Sequence, residues 1–130
     1  MHIGLIIYGS LDLLTGGWIY DRLLVEHLRE QGHTVKIISL AQRKYVGNLA
    51  DNISGRLQRR LLNLDCRLLV EDELCHPSLL GLNHLIRQKR GCPIVTIVHQ
   101  VLCRQPLKKL LQLFYQTWSI FMKYNVLQIV

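Results

Sequence analysis

The chain has 130 residues, 49% of them hydrophobic, with a formal net charge of +7. That length and apolar content fit one domain with a real core and exclude an intrinsically disordered chain. No apolar stretch is long enough for an uncharged membrane span, and no basic segment precedes the first apolar run as in a secretory signal.

The first forty residues read as strand, glycine loop, helix, strand. The run His2-Ile3-Gly4-Leu5-Ile6-Ile7-Tyr8 is almost continuously apolar, the mark of a strand buried on both faces. A loop follows with Gly9 at one end and Gly16-Gly17 at the other. Residues 18–31 carry Ile19, Leu23, Leu24 and Leu28 at helical spacing, with Arg22, Glu26, Arg29 and Glu30 expected on the opposite, solvent face. Gly32 stands where a helix end needs a positive φ, and residues 34–40 read as a second strand.

Residues 41–52 are polar and basic and carry no clear period. A helix is expected over 53–63, with Leu57, Leu61 and Leu64 on one side and Arg56, Arg59 and Arg60 beside them. Residues 65–71 read as a third strand, followed by a loop over 72–77. Pro77 suits a first helical turn, residues 78–90 carry Leu79, Leu82, Leu85 and Ile86 at helical spacing, and Gly91 stops the helix. The uncharged, β-branched run 93–98 is the clearest strand in the chain. An amphipathic helix is expected over 105–123 and a fifth strand over 126–130. Strands alternating with helices predict an α/β fold: a Rossmann-like parallel β-sheet sandwiched by helices, one domain over 1–130, with right-handed crossovers.

All nine acidic residues lie at or before Glu73, where Lys and Arg also number nine; seven Lys and Arg and no acid follow. A solvated basic face, an anionic lipid surface, a phosphorylated ligand or nucleic acid would each fit such an excess. Nucleic acid is the weakest of these, because the basic residues are scattered among aliphatics and no binding motif is present. Cys66, Cys75, Cys92 and Cys103 form no C-x-x-C pair, so free thiols in a reducing cytoplasm are expected and no metal site.

Ligands of open parallel sheets bind at the carboxyl edge, so the loops 9–17, 72–76 and 99–103 are where chemistry is expected. Gly16 and Gly17 precede a helix, where backbone amides attract phosphate and glycine permits close approach; a tight turn explains them equally well. His99 directly follows a buried strand and could bond a sugar hydroxyl or take a proton; the alternative is a histidine satisfied by neighbouring backbone. Asp72 and Glu73 could bind hydroxyls, or form a solvated acidic pair at a helix start. His76 and Asn83 are polar groups near the same edge. The stripe over 107–122, flanked by Lys108, Lys109 and Lys123, reads as core or interface packing, with a membrane surface as the alternative.

The Gly loop with Thr15-Gly16-Gly17, the helix end Arg29-Glu30-Gln31-Gly32-His33 and the strand Val35-Lys36-Ile37-Ile38 resemble the N-terminal domain of family-four glycosyltransferases of the GT-B architecture. The resemblance continues through Leu69-Val70-Glu71-Asp72-Glu73-Leu74-Cys75-His76-Pro77-Ser78 and Pro93-Ile94-Val95-Thr96-Ile97-Val98-His99, and covers nearly the whole chain. It implies retaining transfer of a sugar from a nucleotide-sugar donor to a glycan, lipid or other acceptor, without a metal or other cofactor. It implies that Gly16 and Gly17 lie near donor phosphate and acceptor, and that His99 contacts the transferred sugar. Nothing here matches the family's donor-binding second domain with its paired glutamates, and 116–123 lacks the glutamate common in the family's late helix. The expectation is therefore an acceptor-side half, truncated at its C-terminal end and with little or no turnover alone. The alternatives are a split transferase completed by a partner chain, or a non-catalytic binding module docking to a partner or to anionic membrane. The expected location is cytoplasmic, with the inner membrane face as a peripheral site.

Overall fold

The computed structural model describes residues 1–12, 16–98 and 127–129. Strands β1 (His2–Tyr8), β2 (Thr34–Leu40), β3 (Leu68–Asp72), β4 (Ile94–Ile97) and β5 (Leu127–Ile129) form one parallel sheet in the order β2-β1-β3-β4-β5. Helices α1 (Gly16–Glu30), α2 (Tyr45–Leu49), α3 (Gly55–Leu62) and α4 (His76–Arg90) lie between them, with short 3-10 turns at Ala50–Ile53 and Glu73–Cys75. The α/β class and Rossmann-like arrangement expected from the alternation are those observed.

Burial explains the strand sequences. Strand β1 is interior and buried from Ile3 to Tyr8, so it tolerates no polar face, whereas β2 sits at the sheet edge and alternates. One sheet face packs Ile3, Leu5, Ile7, Val35 and Val70 against Val25 and Leu28 of α1. The other packs Ile6, Ile38, Leu69 and Ile94 against Leu57 and Leu61 of α3 and Leu79, Leu82 and Ile86 of α4. Each fully buried aliphatic side chain contributes about 1.5–3 kcal/mol. Gly4 is dictated by this second face: a Cβ there would lie 2.7 Å from Leu64 Cδ2 and 2.9 Å from Leu69 Cδ1.

Several expected boundaries and faces are corrected. Helix α1 starts two residues earlier than expected and its inward face is shifted: Asp21 and Val25 are buried and Leu28 packs on the core as expected, while Ile19 and Leu23 are 36% and 57% exposed. The polar stretch 41–52 is not irregular but holds α2 and a 3-10 turn. The helix expected from 53 begins at Gly55, because Ser54 caps it by accepting from the Leu57 N–H at 3.3 Å. The third strand starts three residues later than expected, at Leu68. Upstream, the Cys66 N–H turns back to the Leu64 carbonyl at 2.9 Å, and Arg90 donates to the carbonyls of Leu61 and Cys66, each at 3.0 Å. Helix α4 begins at His76 with Pro77 in its first turn, and Gly91 closes it at φ 60°. The fourth strand is shorter than expected by one residue at each end, and the expected fifth strand is described over Leu127–Ile129. The expected helix over 105–123 and the loop 99–103 lie outside the described residues.

Candidate functional site

The strand order reverses direction at β1. Strand β2 lies to one side of β1, and β3, β4 and β5 follow in order on the other. The crevice at the carboxyl ends of β1 and β3 is therefore the topological switch point, where sheets of this kind bind ligands.

On the β1 side, Gly9 takes φ 68°, its N–H donates to the Leu40 carbonyl at 3.0 Å, and its own carbonyl accepts from the Ser39 hydroxyl. The loop beyond it is held by its own polar groups: Ser10 Oγ donates to Asp12 Oδ2 at 2.7 Å, and the Asp12 N–H donates back to Ser10 Oγ at 3.2 Å. Gly16 and Gly17 are the first two residues of α1, in the turn whose N–H groups have no acceptor within the helix. The Trp18 indole N–H donates to the Tyr8 carbonyl at 3.0 Å and pins this first turn to the end of β1. No acidic residue occupies that turn.

On the β3 side, Asp72 and Glu73 are buried, at 3% and 9% exposure, so they are not the solvated pair that one reading of the sequence allowed. Asp72 Oδ1 accepts from the Leu74 N–H at 2.8 Å and caps the 3-10 turn. His76 Nδ1–H donates to the Glu73 carbonyl at 2.9 Å, and its ring stacks at a tilt on Tyr45, with centroids 5.8 Å apart. Burial pushes the His76 imidazole down to about 4, so it is neutral at pH 7. Cys75 is fully buried; burial first, then the nearby carboxylates of Asp72, Glu71 and Asp21, hold its thiol well above the ordinary value. It is a packed thiol rather than a nucleophile.

Two polar networks behind the crevice escaped the sequence reading. The Tyr8 hydroxyl lies 2.7 Å from Ser78 Oγ, which donates to Asp51 Oδ2 at 2.8 Å, while Asp51 Oδ1 pairs with Arg43 at 2.9 Å. This chain ties the end of β1 to the first turn of α4, and burial raises the Tyr8 phenol. In the second, Glu71 is 1% exposed and accepts from Asn83 Nδ2 at 3.1 and 2.9 Å and from the Thr96 hydroxyl at 2.8 Å. Burial raises its carboxyl to about 7, against the stabilising effect of those donors and of Arg87. A charged residue directly after the apolar run Leu68-Leu69-Val70, still within the strand, was the available signal. Asp21, fully buried on α1, is a further buried acid.

The structure therefore brings Gly16, Gly17, Asp72 and Glu73 to the same carboxyl edge, with His76 and Asn83 behind them. His99 lies outside the described residues. Among the described residues no group of three or more His, Cys, Asp or Glu could hold a metal ion, and no helix is long and apolar enough to cross a membrane. Cys66, Cys75 and Cys92 are free and buried.

Fold and crevice define a single Rossmann-like α/β domain. No protein-family model matches the chain, and no curated protein does either.

Proposed function

We propose that the chain is the acceptor-side domain of a retaining glycosyltransferase of the family-four type, acting on a nucleotide-sugar donor and a hydroxyl acceptor. The observation that carries this reading is the start of α1 at Gly16-Gly17, at the switch point and opposite the buried Asp72-Glu73 turn. The amides of a helix start suit a donor phosphate. The Asp72 carboxylate in the other wall opposes a second anion there and favours a neutral, hydroxyl-bearing group. Sugar phosphate on one side and sugar hydroxyls on the other is the division that glycosyl transfer requires.

Transfer needs phosphate stabilisation and acceptor positioning together. In this reading the described domain supplies part of each, a donor-binding domain supplies the rest, and no metal takes part. Equilibrium dialysis of the 130-residue chain against UDP-glucose and GDP-mannose tests it. Weak, saturable binding is expected, without turnover. Gly17→Asp should abolish binding, because it sets a negative charge at the phosphate position while an acid in a first helical turn favours the helix itself. Equal binding by wild type and Gly17→Asp would overturn the reading.

A further inference from the structure

Residues 45–53 form an inside-out helical segment. Leu49 and Ala50, at φ −58° and −64°, are both right-handed helical, so α2 runs without a break into the 3-10 turn Ala50–Ile53. Polar residues face inward. Asn48 is buried and donates to the Arg43 carbonyl at 3.3 Å. Asp51 accepts from Ser78. Asn52 donates to the Pro77 carbonyl and accepts from the Gly81 N–H, both at 2.7 Å. The outward residues are Val46, Ala50 and Ile53, spaced as one helix face; Val46 is 77% and Ile53 89% exposed. A segment held to its own domain by its polar face leaves the apolar face for something else.

The surroundings of that stripe are basic. Arg43, Lys44, Arg56, Arg59 and Arg60 flank it and are exposed. Arg59 Nε donates to the Gly55 carbonyl at 3.2 Å, which folds its guanidinium back to the start of α3. The single acid of the stretch, Asp51, faces inward and is paired with Arg43 at 2.9 Å. The apolar area is small: two aliphatic side chains and an alanine fall far short of the ~800 Å² per partner that a stable protein interface takes. Shallow apolar insertion between exposed cations that flank it in sequence fits a different occupant, an anionic bilayer surface.

We propose that the Val46–Ala50–Ile53 stripe with its flanking arginines is a peripheral docking surface for anionic membrane. It stands independently of the glycosyl-transfer reading, and the 105–123 segment plays no part in it. The probe is the full chain co-sedimented with vesicles of phosphatidylcholine alone and of an equimolar phosphatidylcholine–phosphatidylglycerol mixture. Binding is expected to the mixed vesicles and not to phosphatidylcholine, weakening as salt rises. Arg56→Gln/Arg60→Gln should weaken it by about fivefold for each charge removed. Val46→Ser/Ile53→Ser should weaken it further, with far-UV circular dichroism unchanged. Ile53→Trp keeps a bulky apolar group, and its emission should move to the blue on mixed vesicles only. Absence of binding, or binding that none of these variants alters, would overturn the proposal. So would a dimer in solution that Val46→Ser/Ile53→Ser dissociates, or nucleic-acid binding that outcompetes the vesicles.

Discussion

Replacing Glu71 with glutamine isolates an ionisable carboxyl that the fold buries at the centre of its sheet. The carboxyl lies at 1% exposure between Asn83 of α4 and Thr96 of β4, and burial raises it from an ordinary 4.5 to about 7. A raised carboxyl binds its proton more tightly folded than unfolded. It leaves stability undiminished below pH 4.5, lowers it as pH rises to about 7, and adds no further dependence above. That interval, at 1.36 kcal/mol per unit, corresponds to about 3 kcal/mol. His76 acts in the opposite sense. Its imidazole is held neutral down to about 4 against an ordinary 6.5, so stability rises with pH across that window. The two nearly cancel in the wild-type protein, and a flat wild-type profile between pH 4.5 and 6.5 is expected from this pair. The informative quantity is therefore the difference between Glu71→Gln and wild type, in which every other group drops out. Urea unfolding of both proteins at half-unit steps from pH 4 to 8 measures it. The difference should move in favour of the variant by about 3 kcal/mol between pH 4.5 and 7 and then level off. A difference independent of pH would refute the assignment of a proton to Glu71 in the folded state.

His76→Gln should show the complementary profile, with stability falling as pH rises through the same range, readable in the same titration. Gly4→Ala should destabilise the domain by about 1–3 kcal/mol, because its Cβ would press on Leu64 and Leu69 from an interior strand; Leu64→Val in the same protein should recover part of the loss in a thermal melt. Leu79→Ala, fully buried between α4 and the sheet, should cost about 2–5 kcal/mol by chemical denaturation. Ser54→Ala removes the cap of α3 and should cost about 1 kcal/mol, visible as a lower urea midpoint with an unchanged slope.

The strands were legible because burial on both faces leaves a continuous apolar run, and β1 and β4 carry such runs in plain view. Caps and stops were legible too: Pro77 and Gly91 mark α4 through their own backbone restrictions. The inward face of α1 was not. Ile19 and Leu23 have the spacing of a core stripe, yet the structure turns Asp21 and Val25 inward, and a pattern of hydrophobicity cannot anticipate a buried aspartate. The same limit hid the helical character of 45–53. Its polar residues find partners in α4, some 25–29 residues away, and its aliphatics face out, so the usual rule reads it backwards. At the candidate site, the placement of Gly16, Gly17, Asp72 and Glu73 at one edge followed from topology. The burial of the acidic pair and the Glu71–Asn83–Thr96 cluster depended on contacts between distant elements.

The sugar-nucleotide is proposed to bind in the crevice between β1 and β3. Amide spectra of the nitrogen-15-labelled chain, recorded while a nucleotide-sugar is added into the millimolar range, test it most directly. Saturable shifts should appear at the amides of Gly9, Gly17 and Leu74, which line the two walls. Gly32 and Gly91, at the opposite edge of the sheet, should stay fixed. Shifts confined to that opposite edge, or none at all, would contradict a sugar-nucleotide site at the carboxyl ends of β1 and β3.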